Sequence, residues 1–229
     1  MAALKPTRTE VLAESSRAAL ARLADVPALA DAYLAGSAGL ALYLGHRPVA
    51  NLDWMCAGNR LEPADRRDLL QALLSVDEAT RVETARDGFL HVRTGDGVGL
   101  KFFYYPYPLI APEEPLGDLW VASILDLALM KLGAIISRGT KRDFVDFYLL
   151  TRELPLAEIL RRAGDKFGHV RDLPLQALKG LADDSLTGGE PMPRLTEPLD
   201  WATVRATLDA ETRAAGRREL GLKPAREGE

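Results

Sequence analysis

The chain has 229 residues, 47% of them hydrophobic and 27% charged, and 29 Lys and Arg against 33 Asp and Glu leave a formal net charge of −4. That length and balance fit one medium globular domain, or one domain with a helical appendage, and exclude wholesale disorder. A mildly acidic surface excludes the basic footprint of a general duplex-binding protein, although a local basic pocket could still hold a phosphate. Cys56 is the one cysteine, so no intramolecular disulfide forms, and three histidines beside it are too few for a structural zinc site. The opening MAALKPTRTE lacks the apolar core of a signal peptide, and Trp120 to Ile136 is interrupted by Asp126 and Lys131. A soluble, cytoplasmic protein without a membrane span is the expectation.

In chain order, residues 9 to 24 read as an amphipathic helix with Thr9 as its cap. Ala32 to Ala35 is a short apolar strand that ends at Gly36-Ser37. A small-residue helix from Ser37 to Leu44 stops at Gly45, and Val49 to Met55 reads as a strand. Glu62 to Leu74 is a helix, with Pro63 suited to its first turn. Thr80 to Ala85, Phe89 to Arg93 and Val98 to Tyr105 read as a meander, separated by Asp87-Gly88 and Asp96-Gly97. From Leu119 onward the pattern is helical: Ser123 to Ser137, Lys141 to Leu150, Leu156 to Phe167, Pro174 to Ala182 and Asp200 to Arg218. Thr187 to Pro198 is a turn-rich connector, and Gly221 to Glu229 is a frayed tail. The predicted fold is α+β, a small mixed sheet with packed helices before a helical C-terminal part. The expected boundaries are 1–118, 119–220 and a tail at 221–229.

Three constellations can carry chemistry. A glycine before a helix lets backbone N–H groups approach a phosphate, so Gly36 and Ser37 read as an anion turn or as a plain serine-capped turn. Asn51 and Asp53 are two apart on a strand and share a face. They could offer oxygens to a divalent ion, with one charge between them, or they could lie on a solvated sheet edge. Lys131 interrupts an apolar helix and needs an anion or a path to water. Asp143 and Asp146 share a helical face, where acids also suit a helix N-terminus. Arg47, after the helix-ending glycine, could reach an anion or solvate a turn. Cys56 reads as buried filler, and Tyr104, Tyr105 and Tyr107 with Phe102 and Phe103 as a stacking platform or plain core and edge residues.

Taken together, Tyr33 to Arg47, Asn51 to Met55, Asp126 to Lys131 and Arg142 to Tyr148 resemble the motifs of the AbiEii/AbiGii toxin family of nucleotidyltransferase-like proteins. The aromatic run Lys101 to Pro108 also resembles a strand of that family. The resemblance covers roughly residues 30 to 150 and implies a polymerase-β-like nucleotidyltransferase fold. It implies a nucleoside triphosphate held by Gly36, Ser37 and Arg47, and Mg2+ or Mn2+ held by Asp53 and Asn51. It places Asp53, Lys131, Asp143 and Asp146 in the catalytic set, with Lys131 neutralising phosphate charge and Asp143 or Asp146 positioning it or the acceptor. Nucleotide transfer to RNA or protein follows, as a toxin, with an antitoxin protein as partner. The chain departs from the pattern at Asn51, where the family has aspartate, and at Ala35-Gly36-Ser37, where a second glycine is missing. A third carboxylate has no match in Leu100 to Tyr105. The expectation is therefore an enzyme of weak or lost activity; the alternative is an inactive nucleotidyltransferase-like module for interaction or ligand sensing.

Overall fold

Two compact units, Met1–Leu127 and Ala128–Glu229, make up the chain, and the computed structural model describes residues 4 to 219. The expected tail at 221–229 lies outside the described residues.

The first unit carries the sheet. Helix α1 (Glu14–Leu23) follows a separate 3-10 turn at Thr9–Val11, so Ala13, not Thr9, precedes its first residue. Strand β1 (Ala32–Ala35) runs into α2 (Gly36–Leu44), then β2 (Leu52–Cys56) and α3 (Pro63–Val76). Glu62 and Asp65 form a reciprocal capping box around Pro63 at the start of α3. The meander is β3 (Arg81–Arg86), β4 (Phe89–Arg93) and β5 (Gly99–Tyr104).

Two short strands follow, β6 (Glu114–Leu116) and β7 (Leu119–Val121), where the sequence pattern suggested the start of the helical half. Leu119 and Val121 are buried while Trp120 is exposed, and two backbone pairs to β1 hold the segment extended. The sheet order is β3-β4-β5-β2-β1-β7-β6, with β2 parallel to β5, β1 parallel to β7 and the other neighbours antiparallel.

Alternation along the strands gives the sheet two unlike faces. Leu52, Trp54, Leu90, Val92, Leu100 and Phe102 are buried on one face. Ala19 and Leu23 of α1 and Leu73 of α3 line one small cavity together with Leu100 there. The opposite face presents Asp53, Lys101, Phe103, His91 and Phe89, all half-buried.

The second unit is helical. It holds the body of α4 (Ile124–Ser137), then α5 (Lys141–Thr151), α6 (Leu156–Phe167), α7 (Leu173–Ala182) and α8 (Trp201–Glu219). Phe144 of α5 meets Trp201 of α8 edge-on at 5.9 Å, and the Arg205 guanidinium lies 4.9 Å from the Phe144 ring. No helix among the described residues is long and apolar enough to cross a membrane.

Candidate active site

The turn between β1 and α2 is built by glycine. Gly36 has a φ of +57°, which costs an L side chain roughly 1–2 kcal/mol. Its near neighbour is the carboxylate of Asp53: a Cβ on Gly36 would fall 2.6 Å from Asp53 Oδ2. Ala35 and Asp53 pair across β1 and β2, which aims the carboxylate at the first turn of α2. Helix α2 starts at Gly36, one residue earlier than the pattern suggested, and its N-cap Ala35 has no side-chain acceptor. Ser37 thus sits inside the first turn and does not cap it. Its Oγ accepts a hydrogen bond from Arg47 Nη2 at 2.5 Å, and Arg47 is buried. Gly36 and Asp53 therefore meet, and so do Ser37 and Arg47.

Asn51 precedes β2 instead of lying within it, because the strand begins at Leu52. Val49 is drawn away to a bridge with Leu12, and the Asn51 Oδ1 accepts from the Gly99 N–H at 3.2 Å. β2 lies between β5 and β1, so Asp53 is on an interior strand and the solvated-edge reading falls away.

Register also supplies neighbours that the sequence pattern does not reveal. Asp53 pairs with Lys101, and Lys101 pairs with His91, so one row across three strands reads Asp53, Lys101, His91. The next row reads Met55, Phe103, Phe89, with the two Phe rings 4.9 Å apart. Tyr105 and Tyr107 meet each other instead, with ring centroids 4.8 Å apart and planes tilted by 54°. Burial and the Lys101 ammonium hold the His91 pKa below its ordinary value. The alternation Leu100-Lys101-Phe102-Phe103 was the one available signal for Lys101; its pairing with Asp53 needed the sheet order. Burial pushes the Cys56 thiol up to about 12, which leaves it inert as a nucleophile.

Lys131, Asp143 and Asp146 form a second group, in the helical unit. The Lys131 amine lies 3.1 Å from Asp143 Oδ1 and 2.7 Å from Asp146 Oδ2, with all three residues buried. Asp143 also accepts from Arg138 Nε at 3.0 Å and from the Thr140 hydroxyl at 2.6 Å. Burial alone would raise the Asp143 pKa, but Arg138, Lys131 and Thr140 outweigh it and hold the carboxyl at about 2.

A folded-state pKa below the unfolded value adds stability above the unfolded pKa, and that stability is lost as pH falls through the folded one. Asp143 is thus expected to contribute about 2 kcal/mol at neutral pH, lost between about pH 4 and pH 2. The melting temperature of Asp143→Asn should change less than wild type across that window; equal slopes would remove the ion cluster as the cause.

The donor set limits what metal the sheet face can hold. Among the described residues no group of three or more His, Cys, Asp or Glu side chains converges for a metal, so an all-protein cage is absent there. Asp53 alone, with the spare lone pair of Asn51 and phosphate oxygens, suits one hard ion, because Mg2+ is commonly held by one or two carboxylates plus substrate phosphates.

No family model matches the chain. The uncharacterized protein aq_aa25 of Aquifex aeolicus (strain VF5) is 31% identical over 147 residues, covering 62% of this chain and 68% of that one. Among solved structures, JHP933 from Helicobacter pylori superposes with a TM-score of 0.51 at 18% identity, over 92% of this chain and 95% of that one. The nucleotidyltransferase toxin MenT4 of Mycobacterium tuberculosis H37Rv gives 0.52 at 18% identity, over 94% and 97%.

Proposed function

We propose a function from the premise that this chain belongs to the family of the Aquifex aeolicus protein aq_aa25 and has the nucleotidyltransferase fold of AbiEii-like toxins: it binds a nucleoside triphosphate on its sheet unit and transfers the nucleotide to an RNA acceptor. The observation that carries this reading is the Gly36 turn closed against Asp53, with Arg47 donating to Ser37 beside it. Backbone N–H groups in the first turn of α2 are directed at the phosphates, and the helix dipole favours their charge. Arg47 adds a fixed positive charge suited to phosphate oxygens. Asp53 is the one charged strand ligand for a divalent ion that arrives with the triphosphate, and Asn51 is a neutral second oxygen.

When bound, such an ion neutralises phosphate charge and makes the acceptor hydroxyl easier to deprotonate. The acceptor hydroxyl oxygen gives up its proton to water and attacks the α-phosphorus in line; the new O–P bond forms as the α–β bridge breaks, and pyrophosphate leaves. One carboxylate where a site of this kind uses more predicts slow transfer. Lys131 is assigned to joining α4 and α5 through Asp143 and Asp146, since its amine already faces two carboxylates.

Incubation with each α-32P-labelled triphosphate, Mg2+ or Mn2+, and either total RNA or protein acceptors tests the transfer. Label should enter RNA, and Asp53→Ala should abolish its entry. Label in protein alone would replace the acceptor class, and no label in either would leave nucleotide binding without transfer.

A further inference from the structure

The residue in register with Asp53 on the neighbouring strand is a cation, Lys101, and His91 follows it in the same row. Hydrogen-bonded strands lie about 4.8 Å apart, so Asp53 and Lys101 flank one patch of the open face. Among the described residues no ion pair involves Lys101, and the side chain is half-buried. A half-buried ammonium that makes no ion pair, even with Asp53 one strand away, is ready for an anion from outside the chain.

Gly99 clears the space next to this row. A Cβ there would fall 2.6 Å from Asn51 Oδ1 and 3.2 Å from His91 Nε2, so these two polar atoms close over the backbone where a side chain would stand. Asp53, Asn51, His91 and Lys101 thus lie together on one face of the sheet, with one carboxylate and one ammonium among them. A second divalent ion beside these four residues would find no second carboxylate among them, and the ammonium would repel it.

We propose that Lys101 is the second cation of the phosphate site, so that the site takes a triphosphate with one divalent ion instead of two. The proposal rests on the triphosphate reading above and deepens it. The Lys101 ammonium donates to a non-bridging phosphate oxygen, on the side of Asp53 away from the Gly36 turn. Asp53 and Lys101 then grip the triphosphate from neighbouring strands, one through the ion and one directly.

The test counts ions. Electron paramagnetic resonance measures Mn2+ bound per chain in the presence of the four α,β-methylene nucleoside triphosphates, for wild type, Lys101→Met and Lys101→Asp. The expected result is one Mn2+ in wild type and two in Lys101→Asp. Lys101→Met should weaken analogue binding about ten- to a hundredfold, the range of a charge-assisted hydrogen bond. Its melting temperature should stay unchanged, which separates the effect from misfolding. Two ions in wild type, or unaltered analogue affinity in Lys101→Met, overturns the role of Lys101 while leaving triphosphate binding in place. A wild-type chain that binds no analogue overturns the triphosphate reading itself. If Lys101→Asp fails to fold, the wild-type count and Lys101→Met decide the matter alone.

Discussion

Replacing Lys131 with methionine is expected to destabilise the helical unit by about 3–5 kcal/mol, the usual cost of removing one partner from a buried ion group. Methionine fills nearly the same volume, so a cavity does not explain the loss. What remains is the fully buried Asp146, which has lost its ion pair with Lys131, and Asp143 with Arg138 and Thr140 as partners. The melting temperature should fall by about 10 °C in a chain of this size. Triphosphate affinity, measured well below the new midpoint, should stay within about threefold of wild type. Adding Asp146→Asn to Lys131→Met should recover part of the loss, because it removes a buried charge that has lost its ammonium. A variant with wild-type melting and lost affinity would instead return Lys131 to the phosphate.

The largest functional effect is expected at Gly36. Gly36→Ala places a methyl 2.6 Å from Asp53 Oδ2 and 3.1 Å from Asp53 Cβ, in a backbone region that side chains avoid. The turn and the strand cannot both keep their positions. Stability should fall by about 1–3 kcal/mol, and triphosphate affinity by about a hundredfold or more, because the carboxylate and the phosphate turn are displaced together. Ser37→Ala is the milder comparison, since it removes only the acceptor of Arg47. Calorimetric titration of both variants separates the two, and equal affinities would show that the Gly36 turn does not hold phosphate.

The sequence exposed what was local and hid what depended on register. Gly36, the small-residue helix and its stop at Gly45 follow from adjacent residue types, and β4 has the bounds that its alternation suggested. β7 was hidden because Leu119-Trp120-Val121 is three residues long and flows into an apolar helix; only its pairing with β1 and β6 marks it as a strand. β6 carries Pro115 and was masked for a related reason, since it holds only one partner strand. The start of β2 slipped because Val49 looks like a strand residue but is spent on Leu12. In the site, Asp53 was visible as a charge on an apolar strand. Its row-mates Lys101 and His91 lie 48 and 38 positions further on, and only the parallel pairing of β2 with β5 and the antiparallel pairing of β5 with β4 bring them into its row. The need of Lys131 for an anion was visible in its apolar surroundings, and the distances identify Asp143 and Asp146 as the acids that meet it.

The central claim is that the Gly36 turn and Asp53 together bind a nucleoside triphosphate. Isothermal titration calorimetry of the full chain with ATP, GTP, CTP and UTP, each with Mg2+, tests it most directly. The account predicts saturable heat with at least one of the four, with a Kd on the order of 1–100 μM, and loss of that heat in Asp53→Ala at an unchanged circular dichroism spectrum. No heat with any of the four, or the same Kd in Asp53→Ala as in wild type, would contradict it.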